Sequence, residues 1–244
     1  MQAGEPVMKC PECKVENAAD HNYCKHCGFP LQAHAVERDL RVGSAENALE
    51  RSALIVKHNP DSAQAHFNLG QAFYHLGHLD EAIGAFQRAV SLDDTLAHAH
   101  FQLAVSFYRR GRFSECADCC RKALQYNTQS VPALYRLARS LFHLGDLAEA
   151  LELFGRVVEA DPGYVIASYH MGVLHERLGN VDDAIEAFTR VAAANPTDAA
   201  AHYHLGLNYK HKGMDDLAIG EFSHALQIDP SDRASEAELH SLER

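Results

Sequence analysis

Four cysteines near the N-terminus have the types and spacing for metal chemistry. Cys10-Pro11-Glu12-Cys13 is followed, after ten intervening residues, by Cys24-Lys25-His26-Cys27-Gly28. Two residues between paired cysteines let both sulfurs of a tight turn face one ion, and four thiolates complete a closed tetrahedral Zn2+ site. Gly28 stands where a backbone turn with positive φ is often needed. Two disulfides or four unconnected thiols are the plain alternatives, and a reducing compartment disfavours the disulfides. An iron-bearing electron carrier is another, but Tyr23 and Phe29 give it little aromatic cover. A closed four-thiolate site leaves no position for a substrate, which argues against catalysis at the metal. Three more cysteines, Cys116, Cys119 and Cys120, fall within one expected helix. The leading reading for them is burial as small apolar residues. A redox or second metal role is the alternative.

The segment Lys9–Leu31 resembles the short zinc ribbons at the start of many bacterial and archaeal proteins. The resemblance rests on Cys-Pro-x-Cys, then Glu16-Asn17, an aromatic (Tyr23) before the second pair, and Cys-Gly-x-Pro-Leu. It covers about a tenth of the chain and brings no activity with it. A module this small has almost no core, so the metal is expected to supply its folding free energy, on the order of 10 kcal/mol.

The rest of the chain is organised by a 34-residue period. With Ala63, Ala97, Val131, Val165 and Ala199 as first positions, position 7 is Leu69, Leu103, Leu137, Met171 and Leu205. Position 8 is Gly70, Ala104, Ala138, Gly172 and Gly206; position 15 is Gly in all five units. Position 20 is Ala82, Cys116, Ala150, Ala184 and Ala218, and position 24 is Phe86, Cys120, Phe154, Phe188 and Phe222. Pro162, Pro196 and Pro230 stand at position 32. This pattern predicts two antiparallel helices per unit. Small residues at 8 and 20 let the helices approach, Gly at 15 ends the first, and Pro at 32 ends the second. Such a pair cannot bury its apolar face alone, so neighbouring units must stack.

The spacing resembles that of tetratricopeptide repeats (TPRs), in five units without insertion: 63–96, 97–130, 131–164, 165–198 and 199–232. The resemblance implies an all-α, right-handed solenoid of helix pairs. Position 4, usually Trp, departs from the pattern as His66, His100, Leu134, Ser168 and His202. Position 11, usually Tyr, is Leu141 and His175 in the third and fourth units. Residues 1–8 read as a flexible terminus and 9–31 as the ribbon. Residues 32–62 read as a degenerate N-terminal cap whose second helix, 44–58, would start at Ser44. Residues 233–244 read as a polar C-terminal capping helix.

In arrays of this kind the first helix of each pair lines a concave groove. Position 5 presents Phe67, Phe101, Tyr135, Tyr169 and Tyr203; these aromatics could contact a ligand or pack between repeats. The other groove candidates are Arg109, Arg136, Arg139, His170, Arg177 and His204. The five first helices, counted over 63–76, 97–110, 131–144, 165–178 and 199–212, hold seven Lys or Arg and one acid, Glu176, in a chain of net charge −11. That bias would steer an acidic partner segment into the groove. The Lys at position 5 and Asn at position 9 of chaperone-binding TPRs occur together in no unit, which disfavours a chaperone C-terminus.

These residues point to a non-enzymatic adaptor in the cytoplasm, binding a protein or peptide partner with an acidic segment. Zn2+ would be its only cofactor, with the ribbon as a cap or second docking surface. The alternatives are a nucleic-acid-linked regulator and a metal or thiol sensor. The ribbon's lysines are balanced by its acids and the chain is acidic, which disfavours nucleic acid. No apolar run reaches the roughly 20 residues of a membrane span. There is no phosphate loop, no spaced nucleophile–base set and no open metal site to suggest an enzyme. Stacking of solenoid ends makes self-association an option.

Overall fold

The computed structural model describes residues 7–9, 16–18 and 42–242. Two three-residue strands, β1 (Val7–Lys9) and β2 (Glu16–Ala18), pair antiparallel, with Val7 opposite Ala18 and Lys9 opposite Glu16. The four expected zinc ligands, Cys10, Cys13, Cys24 and Cys27, and residues 32–41 of the expected cap lie outside the described residues.

From Val42 onward the described elements are helices: α1 (Val42–His58), α2 (Ala63–His75), α3 (Leu79–Leu92), α4 (Ala97–Arg109), α5 (Phe113–Tyr126), α6 (Val131–Leu144), α7 (Leu147–Ala160), α8 (Val165–Leu178), α9 (Val181–Ala194), α10 (Ala199–His211), α11 (Asp215–Ile228) and α12 (Arg233–Leu242). They group into two compact units, one ending at Leu153 and the other beginning at Phe154, within α7. α1 already includes Val42, so Ser44 is inside the helix and not at its N-cap. Its sequence suits a cap, but the helical turn starts earlier.

Local chemistry explains the helix ends. Ser62 and Asp198 accept from the backbone N–H of Ala65 and Ala201, which caps α2 and α10. Gly145 and Gly179 close α6 and α8 in the left-handed region, with φ of 91° and 77°, where a Cβ would be strained. The histidines that stand at position 4 have a bonding role. Nε2 of His66, His100 and His202 lies 2.9, 3.0 and 3.2 Å from the carbonyl six residues earlier, of Pro60, Asp94 and Pro196. Each ties its first helix to the preceding turn, which an apolar side chain at that position could not do.

Packing between paired helices depends on position 8 meeting position 24. Phe86, Phe188 and Phe222 are fully buried, each against the glycine of its own unit. A Cβ on Gly206 would lie 2.6 Å from the Phe222 ring. Helix propensity alone favours Gly206→Ala by about 1 kcal/mol. Overpacking against an enclosed ring costs about 1–3 kcal/mol. We expect a net loss of stability, read as a lower urea midpoint. A midpoint at or above that of the parent chain would show that the helices have room to part.

Candidate partner-binding groove

In the unit ending at Leu153, tyrosines of one repeat meet cations of the next. Arg109 lies over the Tyr74 ring at 5.0 Å. Arg136 and Arg139 lie over Tyr108 at 4.7 and 5.0 Å, and Arg139 also lies 5.7 Å from the Tyr135 ring. The Tyr108 hydroxyl and His143 Nε2 are 3.0 Å apart, and the His143 ring stacks on Phe113. Each guanidinium therefore rests on an aromatic face, an attraction of about 0.5–2 kcal/mol. Burial pushes the Tyr108 hydroxyl pKa up against the pull of Arg139 and Arg136, so it stays neutral.

Among the described residues, neither Arg136 nor Arg139 pairs with a carboxylate. Arg136 is half-buried, and its Nε is enclosed without a hydrogen-bond acceptor. On α5, Cys116 and Cys120 are both fully buried. Ser140 Oγ is 3.1 Å from Cys116 Sγ and 2.9 Å from the Arg136 carbonyl oxygen. Hydrogen bonding from Cys120, and then Ser140 and the Arg136 charge, outweigh burial and lower the Cys116 pKa. Burial pushes Cys119 up to about 12 and raises Cys120 well above the ordinary thiol range. Among the described residues, no group of three His, Cys, Asp or Glu side chains could hold a metal ion, these three cysteines included.

In the unit beginning at Phe154, His204 and Lys210 of α10 are engaged within the unit. His204 stacks flat on Phe188, with ring centroids 4.6 Å apart, and His170 stacks on Phe154 at 5.1 Å. His204 Nε2 lies 3.1 Å from the Tyr169 hydroxyl. Its Nδ1 lies 3.1 Å from Glu176, which also accepts from Asn208 at 2.6 Å. Lys210 donates to Glu238 of α12 at 2.6 Å.

The basic bias of the first helices is consequently smaller than a charge count suggests. Arg110 pairs with Asp80, and Lys212 with Asp182. In both pairs a cation at position 14 meets an acid at position 18 of the preceding repeat, 30 residues earlier. That offset is visible in the sequence, but only when consecutive repeats are compared. The position-5 aromatics also divide. Phe67 and Tyr135 are buried, at 7% and 1% exposure, so they belong to the packing and not to a ligand surface. Neighbouring helices cover them; Phe67 lies against Phe86 and His98. Phe101, Tyr169 and Tyr203 are half-buried and Arg177 is exposed. Sequence reading missed Tyr74 and Tyr108 as the platforms for the arginines, although position 12 carries Tyr in both units.

Models of the tetratricopeptide repeat match residues 31–97, 141–206 and 199–232. Residues 82–157 match the model described as anaphase-promoting complex, cyclosome, subunit 3. The chain carries tetratricopeptide repeats, and its fold is the all-α helical-repeat solenoid of such proteins. Among solved structures, it is similar to YrrB, a TPR protein with an unusual peptide-binding site, at 23% identity and TM-score 0.72, over 81% of this chain and 100% of that one. It is also similar to MamA, at 25% identity and TM-score 0.65, over 66% of this chain and 95% of that one. MamA from Desulfovibrio magneticus RS-1 is similar at 20% identity and TM-score 0.65, over 70% and 97%. No curated protein matches the sequence. Among the described residues, no helix is long and apolar enough to cross a membrane.

Proposed function

We propose that this protein is a non-enzymatic scaffold that holds an acidic segment of a partner protein against the first helices α4 and α6. The observation that carries this reading is the pair Arg136 and Arg139, stacked on Tyr108 with no carboxylate opposite either among the described residues. Two neighbouring cations without an acid repel each other and attract an anionic side chain. A guanidinium held on an aromatic face is also pre-oriented for bidentate contact with a carboxylate. Peptide binding by the similar YrrB supports the general mode. The partner contacts are Arg136 and Arg139, with Tyr108 as their platform. Arg109, Phe101, Tyr169, His170, Arg177, Tyr203 and His204 are peripheral candidates.

The test is fluorescence anisotropy with a labelled octaglutamate peptide and an octalysine control. The reading expects saturable binding of the glutamate peptide alone, weakening as salt rises. Equal binding of both peptides, or of neither, would remove the acidic-partner assignment.

The second part of the proposal is a structural Zn2+ held by Cys10, Cys13, Cys24 and Cys27. The β1–β2 hairpin supports it, because residues 10–15 connecting the strands contain the first cysteine pair. When bound, the ion would supply folding free energy to the ribbon and no catalysis. Elemental analysis should find one zinc per chain, falling to zero in Cys13→Ser and Cys24→Ser. A zinc-free parent chain isolated under reducing conditions would refute it.

A further inference from the structure

The stacked arginines sit where the first helices carry no acid. α2, α4 and α6 contain no Asp or Glu, whereas α8 has Glu176, which is taken by His204 and Asn208. Several acids on the intervening second helices meet other cations. Asp80 pairs with Arg110, Glu115 with Arg112, and Asp118 and Glu149 with Arg121.

Within this acid-free stretch, two arginines share one platform. Arg136 and Arg139 stand about one turn apart on α6. Their guanidinium carbons lie 4.7 and 5.0 Å from the centre of the same Tyr108 ring. Their separation therefore cannot exceed the sum of those two distances. The Tyr108 hydroxyl is engaged with His143 Nε2 at 3.0 Å, so the residue offers the pair its ring and not a counter-charge. The pair is short of acceptors. Neither guanidinium meets a carboxylate among the described residues, and Arg136 Nε has no acceptor of any kind.

Charge and acceptor count decide which anion suits such a pair. A guanidinium fork occupies both oxygens of a carboxylate, so one Asp or Glu serves one arginine and leaves the other unneutralised. Two carboxylates brought to the same ring would repel each other. A phosphorylated side chain carries about −1.5 to −2 charge near neutral pH and three acceptor oxygens on one phosphorus. Different oxygens can serve both guanidiniums at once, and one group then closes the charge of the pair.

We infer that Arg136 and Arg139 together form a receptor for a phosphorylated serine or threonine of the partner protein. This deepens the acidic-partner reading and rests on it for the place where the partner lies. The charge of the chain favours a protein source over a nucleic acid. A single phosphoryl group meets only this local pair, whereas a polynucleotide would lay a row of phosphates along a chain of net charge −11. Arg109 lies over a different ring, Tyr74, and serves as the control.

The test is fluorescence anisotropy of the full chain with labelled peptides Glu-Gly-Glu-X-Glu-Gly-Glu, in which X is phosphoserine, Glu or Ser. The phosphoserine peptide should bind at least fivefold more tightly than the Glu peptide. That gain needs both forks, so Arg136→Gln and Arg139→Gln should each reduce it to less than twofold, while Arg109→Gln keeps it. Glutamine already stands at the Arg136 column as Gln102, and helicity checks that each variant is folded. Where a glutamine variant does not fold, lysine at the same position removes the fork, keeps the charge and gives the same readout. A gain below fivefold in the parent, or a gain of twofold or more that survives in either variant, would overturn the inference. Labelled oligothymidylate bound more tightly than the phosphoserine peptide at the same salt would also overturn it, and would assign the arginines to nucleic acid. Octaglutamate binding without a phosphoserine preference removes the phosphoryl receptor alone. Phosphoserine binding without octaglutamate binding leaves the receptor standing and removes the carboxylate reading. If no peptide binds, both fall together.

Discussion

Arg136→Glu/Arg139→Glu is expected to weaken binding of an acidic peptide by about 100-fold or more, the equivalent of about 2.7 kcal/mol. Each substitution removes an attraction and adds a repulsion, and the two sites share Tyr108, so the effects combine without being additive. The loss should shrink as salt rises, because the peptide reaches a surface open to solvent. Helicity at working temperature should stay close to that of the parent, while the urea midpoint falls, because Arg136 is half-buried and a carboxylate in its place is partly desolvated. Arg110→Glu is the control. Arg110 is equally cationic on the same helical layer, but it is bound to Asp80. Its reversal should cost little peptide affinity. If Arg110→Glu weakens binding as much as the double variant, general charge is responsible and the Tyr108 platform is not.

Phe188→Ala is expected to destabilise the unit beginning at Phe154 by about 3–5 kcal/mol. The ring is fully buried against Gly172, stacks on His204 and meets Tyr169 edge-on at 5.6 Å. The glycine cannot move to fill the space, because it has no side chain. Truncation therefore leaves a cavity and also frees His204, which Phe188 holds in line with Tyr169 and Glu176. Chemical denaturation followed by helicity should show an earlier transition for this unit. A change below about 1 kcal/mol would mean that His204 and Tyr169 collapse into the gap, and that the Gly–Phe contact is not the main packing device of the repeat.

The helical fold was legible because its determinants are local and recur. Glycine at position 15 has one physical use at a helix end, and the structure shows Gly145 and Gly179 in that role. The small residues at positions 8 and 20 announced a close helix pair, and the structure sets the position-8 glycines against the position-24 rings. The groove was less legible, for reasons that particular residues make plain. Tyr135 and Tyr169 share a repeat position, yet one is enclosed and the other reaches His204 with its hydroxyl. Their neighbours decide the difference. Arg110 and Lys212 looked like ligand-seeking charges because a single repeat does not contain their partners, Asp80 and Asp182. The same limit hid Tyr108. Its role depends on Arg136 and Arg139 of the following repeat. The cysteines at 116 and 120 read as ordinary small core residues. The structure agrees, with both side chains fully buried.

Hydrogen exchange of the full chain, with and without saturating octaglutamate, tests the central claim most directly. The account predicts slowed exchange concentrated in α4 and α6, the helices carrying Tyr108, Arg136 and Arg139, with α3 and α5 little changed. Protection concentrated in the second helices, or confined to residues 9–31, would place the partner elsewhere and contradict the groove assignment.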